Sequence, residues 1–159
     1  MKKYVVTDPC YILSDEAWDE CCKLLGNGTE KDFEAFNTAI AGELTKLSGE
    51  TAYVEDTGYG DWSNEIYGSN IINRTFAADA GMVCVCRLTP EIEKKLNIQE
   101  HDHCVAVFQT EELISVKFDT DDSNWTVVNI KIKEGCVWSK EPYDEYEEDE
   151  GEDQEDEEW

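Results

Sequence analysis

Seven cysteines and two histidines are the residues with which this chain could do covalent or metal chemistry. Cys10 sits in Asp8-Pro9-Cys10-Tyr11, a turn after a strand-like run, where a nucleophile can be presented. A cysteine nucleophile needs a base to take its proton and donors to hold the developing oxyanion. The only imidazoles are His101 and His103, far along the chain. The plainer reading is a tight turn, with Pro9 fixing φ and Cys10 packing inward. Cys84 and Cys86 lie two apart in a strand-like segment, so their side chains share one face. With His101 and His103 they form a ligand set suited to zinc, but neither pair has the Cys-x-x-Cys or His-x(3–5)-His spacing of compact zinc modules. Two small core residues and a polar turn are the plainer reading.

Two loops invite comparison with ion and phosphate sites. Gly58-Tyr59-Gly60-Asp61 lacks the Lys-Ser/Thr of a phosphate-binding loop, and Glu55, Asp56 and Asp61 would repel phosphate. Its aromatic neighbourhood, Tyr59, Trp62 and Tyr67, suits a protein contact better, because Tyr and Trp concentrate binding energy. Asp119-Thr120-Asp121-Asp122-Ser123-Asn124 is rich in hard oxygen ligands. It lacks the Gly and the closing Glu of an EF-hand loop and reads as a hairpin turn. No cofactor is called for, and the residues point away from an enzyme. A small cysteine- or metal-dependent enzyme is the alternative; a module binding a nucleotide signal is another, if Arg74, Arg87 and Lys117 form a basic pocket.

Charge is the strongest signal. The 38 acids outnumber the 13 Lys and Arg, for a formal net charge of −25. Residues 144–159 hold 12 of those acids and no base, which leaves 26 acids against 13 bases in residues 1–143. The body is therefore acidic by itself. Nucleic-acid affinity rests largely on Lys and Arg neutralising phosphates, so direct nucleic-acid binding is not expected. A basic protein partner is. No apolar run approaches the ~20 residues a membrane span needs. The odd, irregularly spaced cysteines argue against a secreted disulfide framework, and a cytoplasmic location is expected.

The elements that must position these residues follow from pattern. Lys3–Thr7 reads as a strand, stopped by Asp8-Pro9. Ser14 caps a helix through Trp18, Cys21, Cys22 and Leu25. Gly26-Asn27-Gly28 ends it, and Thr29 caps a second helix. There Phe33, Phe36, Ile40, Leu44 and Leu47 step by three or four residues, and Gly49 supplies the stop. Thr51–Glu55 reads as a strand and residues 58–64 as a long loop. Asn70–Ala77 and Met82–Leu88 read as strands, and Thr89-Pro90-Glu91 opens a short helix to about Leu96. Cys104–Gln109, Ile114–Asp119, Trp125–Ile132 and Cys136–Ser139 read as successive antiparallel strands. The expected fold class is α+β, a mainly antiparallel sheet flanked by two or three helices. One domain spans 1–141, and an acidic tail over 142–159 cannot bury enough apolar surface to order itself.

Asp8-Pro9-Cys10-Tyr11-Ile12, the segment Gly58–Tyr67, and Phe76-Ala77-Ala78-Asp79-Ala80-Gly81-Met82 together resemble a group of small bacterial and phage proteins of unknown function. That group pairs an early D-P-C-Y with a central G-x-G-D…Y loop and a later V-D-x-G. Here Ala78 stands in place of Val and Trp62 in place of Gly. The resemblance spans roughly residues 4–88; it implies a phage or mobile-element origin and no established activity. The tail tip, acids followed by Trp159, resembles the C-termini of single-stranded-DNA-binding proteins, which recruit replication proteins through that tip. The body lacks their basic groove, so the likeness implies docking by Trp159, not DNA binding. The reading that results is an acidic interaction protein, an inhibitor or DNA mimic, engaging a basic and nucleic-acid-binding partner.

Overall fold

The computed structural model of the chain describes residues 1–25, 30–57, 62–120 and 126–140. Ten strands form two five-stranded sheets among those residues, all of their pairings antiparallel. The central sheet has the order β2-β6-β1-β7-β4, with β1 (Lys2–Thr7), β2 (Tyr53–Asp56), β4 (Ile71–Asn73), β6 (Met82–Arg87) and β7 (Ala106–Thr110). The outer sheet has the order β5-β3-β10-β9-β8, with β3 (Trp62–Gly68), β5 (Thr75–Ala78), β8 (Leu113–Thr120), β9 (Thr126–Ile132) and β10 (Gly135–Lys140). The α+β antiparallel expectation holds, with the strands divided between two layers.

Side-chain alternation explains why the central strands read as continuous apolar runs. On β1, β6 and β7, Val5, Cys84, Cys86 and Val107 face the helices, packed with Ile12, Phe36, Ile40, Leu44 and Ile92. Their neighbours Tyr4, Val6, Val83, Val85, Ala106 and Phe108 face the outer sheet and meet Ile66, Phe76, Val128, Ile130 and Val137. Both faces are buried, so both parities are apolar. The outer sheet has one wet face. On β9, Val128, Ile130 and Ile132 are buried while Asn129 and Lys131 are exposed, the alternation expected of a half-covered strand.

Three helices cover the other face of the central sheet: α1 (Asp15–Cys22), α2 (Glu30–Ser48) and α3 (Pro90–Leu96). The Ser14 hydroxyl accepts the Ala17 N–H at 3.1 Å, so the expected cap is present. Helix α1 ends at Cys22, and Lys23–Leu25 tightens into a 3-10 turn rather than continuing it. Thr89 caps α3 by accepting the Ile92 N–H at 3.2 Å, and Asn97 closes it in the left-handed conformation. On α2, Phe36, Ile40 and Leu44 are buried as their spacing predicts, but Phe33 remains 39% exposed one turn before the packed stretch.

Two expectations change. The long loop over 58–64 is shorter: β3 begins at Trp62, and its Asn64 occupies a fully buried strand position, a polar residue that hides the alternation. Asn70–Ala77 is two strands. The chain breaks at Arg74, so that β4 pairs with β7 in the central sheet and β5 with β3 in the outer one. Asn70, at φ 60°, opens this detour. Gly58–Asp61, the 121–125 turn and the tail from 141 lie outside the described residues. No helix among the described residues is long and apolar enough to cross a membrane.

Candidate functional site

The Asp8-Pro9-Cys10-Tyr11 motif forms a corner at the end of β1. Asp8 is fully buried, and both carboxylate oxygens are engaged by backbone amides. Cys10 N–H donates to Oδ1 at 2.9 Å, while Asp79 and Ala80 N–H donate to Oδ2 at 2.8 and 2.7 Å. The Met82 amide reaches the same oxygen at 3.4 Å. Beside it, the Thr57 amide and hydroxyl both donate to the Gly81 carbonyl, at 2.8 and 2.9 Å. The early motif and the later Ala78-Asp79-Ala80-Gly81 segment thus close on one carboxylate. Thr57, which leads into Gly58–Asp61, joins the same corner.

This arrangement clasps the fold and does not activate Cys10. Burial first, then the negative charge of Asp8 and a hydrogen bond to it, push the Cys10 thiol far above its ordinary range. A thiol held protonated beside a carboxylate is the reverse of a cysteine nucleophile. Burial also raises the Tyr11 hydroxyl, with Cys104 and Asp79 adding to the effect.

The proposed metal ligands are not brought together. Cys84 and Cys86 are fully buried between the central sheet and the helices, and burial, then the adjoining Cys86, keep Cys84 protonated. His101 and His103 stand in an exposed turn, where His103 Nδ1 lies 4.0 Å from Asp102 Oδ1. Among the described residues no group of three or more His, Cys, Asp and Glu could hold a metal ion. The imagined basic pocket also separates. Arg87 pairs with Glu50 at 3.1 Å on the central sheet, whereas Arg74, at the break between β4 and β5, lies over Tyr67 of the outer sheet and Lys117 is on β8.

A groove that motif reading did not single out runs between α1 and α2. Its volume is about 630 Å³, and it is lined by Ala17, Cys21, Leu24 and Ala39 with Glu16, Glu20 and Glu43 around them. Helix α1, Asp15-Glu16-Ala17-Trp18-Asp19-Glu20-Cys21-Cys22, contains four acids and no base. Trp18 packs edge-on against Phe36 at 5.7 Å, while Glu16 and Glu20 of α1 share the groove lining with Glu43 of α2. Lys23 and Lys46 bind Glu20 and Glu43 at 2.8 and 3.3 Å, but these pairs are largely solvent-exposed and readily exchanged. Leu24, 44% exposed, gives the groove an apolar end. The sequence signal was the acid density of α1; the groove itself required the helix packing.

The aromatic binding residues fall differently from the single loop expected. Tyr59 and Trp159 lie outside the described residues, and Trp62 is the first residue of β3. Tyr67 is half-buried on the wet face of the outer sheet, where its hydroxyl donates to Glu65 at 2.5 Å. The Arg74 guanidinium lies 5.0 Å from its ring centroid, and Trp138 lies 6.4 Å away, a partner that sequence reading missed. In comparisons with protein-family models, curated proteins and solved structures, nothing matches this chain.

Proposed function

We propose that the chain is a non-catalytic acidic interaction protein that inhibits a basic, nucleic-acid-binding protein by covering its positive surface. The carrying observation is the α1/α2 groove, where Ala17, Cys21, Leu24 and Ala39 share the lining with Glu16, Glu20 and Glu43 on a chain of net charge −25. An amphipathic basic segment fits such a groove: its apolar side packs on Ala17 and Leu24, and its Lys or Arg replaces Lys23 and Lys46 at Glu20 and Glu43. The field of the whole chain raises the on-rate toward such a surface, and the apolar part of the lining adds a term that salt does not screen.

The test uses the full chain as bait at physiological salt. It is compared with a triple variant, Glu16→Gln, Glu20→Gln, Glu43→Gln, and with a charge-matched control, Glu91→Gln, Glu93→Gln, Glu100→Gln. One stoichiometric basic partner lost with the first variant and kept with the second supports the reading. Equal loss with both means that net charge alone binds, and contradicts it.

A further inference from the structure

The wet face of the outer sheet has the opposite character from the helical face. Register places Lys117, Asn129, Trp138 and Tyr67 side by side across β8, β9, β10 and β3, with Arg74 over Tyr67. The next row is Ser115, Lys131 and Cys136. Lys117, Lys131, Asn129, Cys136 and Trp138 line a groove of about 490 Å³ whose walls are mainly apolar and carry no acid. The acids elsewhere on the face are engaged: Glu65 accepts the Tyr67 hydroxyl, and Asp119 accepts Asn129 Nδ2 at 2.8 Å. Trp138 is 43% exposed and Cys136 is exposed. An aromatic flanked by lysines is a surface for an anionic chain that carries an aromatic of its own.

We infer that this face docks the chain's own C-terminal segment, residues 141–159. That segment starts immediately after Lys140, where β10 ends, and β10 is the middle strand of the outer sheet. It contains Glu141 and the 12 acids of 144–159, no base, and the aromatics Tyr143, Tyr146 and Trp159. Its 19 residues can extend to about 60 Å, whereas five strands span only about 24 Å, so turning back to the Trp138 groove is easily within reach. Tethering supplies an effective concentration of about a millimolar, enough to seat a contact that is weak in free solution. The docked tail covers this aromatic and basic face against foreign anions and leaves the α1/α2 groove open. This inference does not depend on the groove having a partner.

Cys136 reports occupancy. Its alkylation by iodoacetamide at low salt is followed by peptide mass mapping in three full-length chains. These are the unaltered chain, Trp159→Ala, and a variant with Glu152, Asp153, Glu155, Asp156, Glu157 and Glu158 changed to Gln or Asn. Half-buried Cys22, on the helical side, serves as the internal control. Docking predicts labelling of Cys136 about fivefold faster in both variants, with Cys22 unchanged and the protection independent of protein concentration. Equal rates in all three chains overturn the inference. Protection that disappears on dilution assigns the face to a second copy's tail, and protection conferred on the unaltered chain only by added oligothymidylate assigns it to nucleic acid. Either of those results also overturns it.

Discussion

Asp8 shows how a motif that could present a nucleophile is built around a structural carboxylate. Its buried carboxylate accepts the amides of Cys10, Asp79 and Ala80, so removal leaves several donors without their acceptor at once. Asp8→Ala is expected to cost about 3 kcal/mol, and Asp8→Asn less because one acceptor oxygen remains; urea midpoints measure both. The same carboxylate, after burial, keeps Cys10 protonated. Iodoacetamide at neutral pH should therefore leave Cys10 unlabelled in the native chain, even in the Trp159→Ala variant whose Cys136 is modified fastest. Glu50 sets a pH dependence. Burial works to raise its carboxyl, but the Tyr4 hydroxyl at 2.8 Å and Lys2 at 3.1 Å, with the charge of Arg87, hold it lowered. A lowered carboxyl contributes its stability above the unfolded value, ~4.3, and loses it as pH falls through the folded value. Glu50→Gln should thus lower stability at neutral pH by about 1 kcal/mol and little near pH ~3, flattening the acid limb of denaturation curves.

At the scale of elements, legibility followed the number of buried faces. Helix α2 could be read because one face of 3.6-residue period is apolar, and β9 because one face of period two is. Strands β1, β6 and β7 announced themselves as strands, but their doubly apolar runs did not say that a second sheet lay across them. Strand β3 was hidden by buried Asn64 and by its glycine-rich approach, and the β4–β5 break at Arg74 follows from which partner each half finds. Glycines discriminate further. Gly68, at φ 123°, has no room for a Cβ, which would stand 2.1 Å from the Cys136 carbonyl oxygen where β3 meets β10. Gly42, within α2, has nothing within 4 Å. Gly68→Ala should destabilise by about 2 kcal/mol or more, and Gly42→Ala should stabilise by about 0.5–1 kcal/mol. Thermal midpoints moving in the same direction would contradict the strand pairing described.

The whole molecule is polarised. Acids crowd the helical face, where α1 has four and no base, while Arg74, Lys117 and Lys131 gather with Tyr67 and Trp138 on the opposite sheet. The sequence disclosed the net charge but not this division. Glu16 and Glu43 become neighbours only when α1 packs on α2, and Lys117 reaches the row of Trp138 only through the register of β8, β9 and β10. The proposed basic partner and the proposed docking of residues 141–159 are thus assigned to different sides of the fold. The most direct test of that account measures the affinity of the captured basic partner for the full chain by calorimetry at physiological salt. The groove variant Glu16→Gln, Glu20→Gln, Glu43→Gln is then set beside the charge-matched Glu91→Gln, Glu93→Gln, Glu100→Gln control. The account predicts at least a tenfold loss for the groove variant, about 1.4 kcal/mol, and little change for the control. Equal losses in the two would mean that the groove recognises nothing and that the charge acts only in bulk.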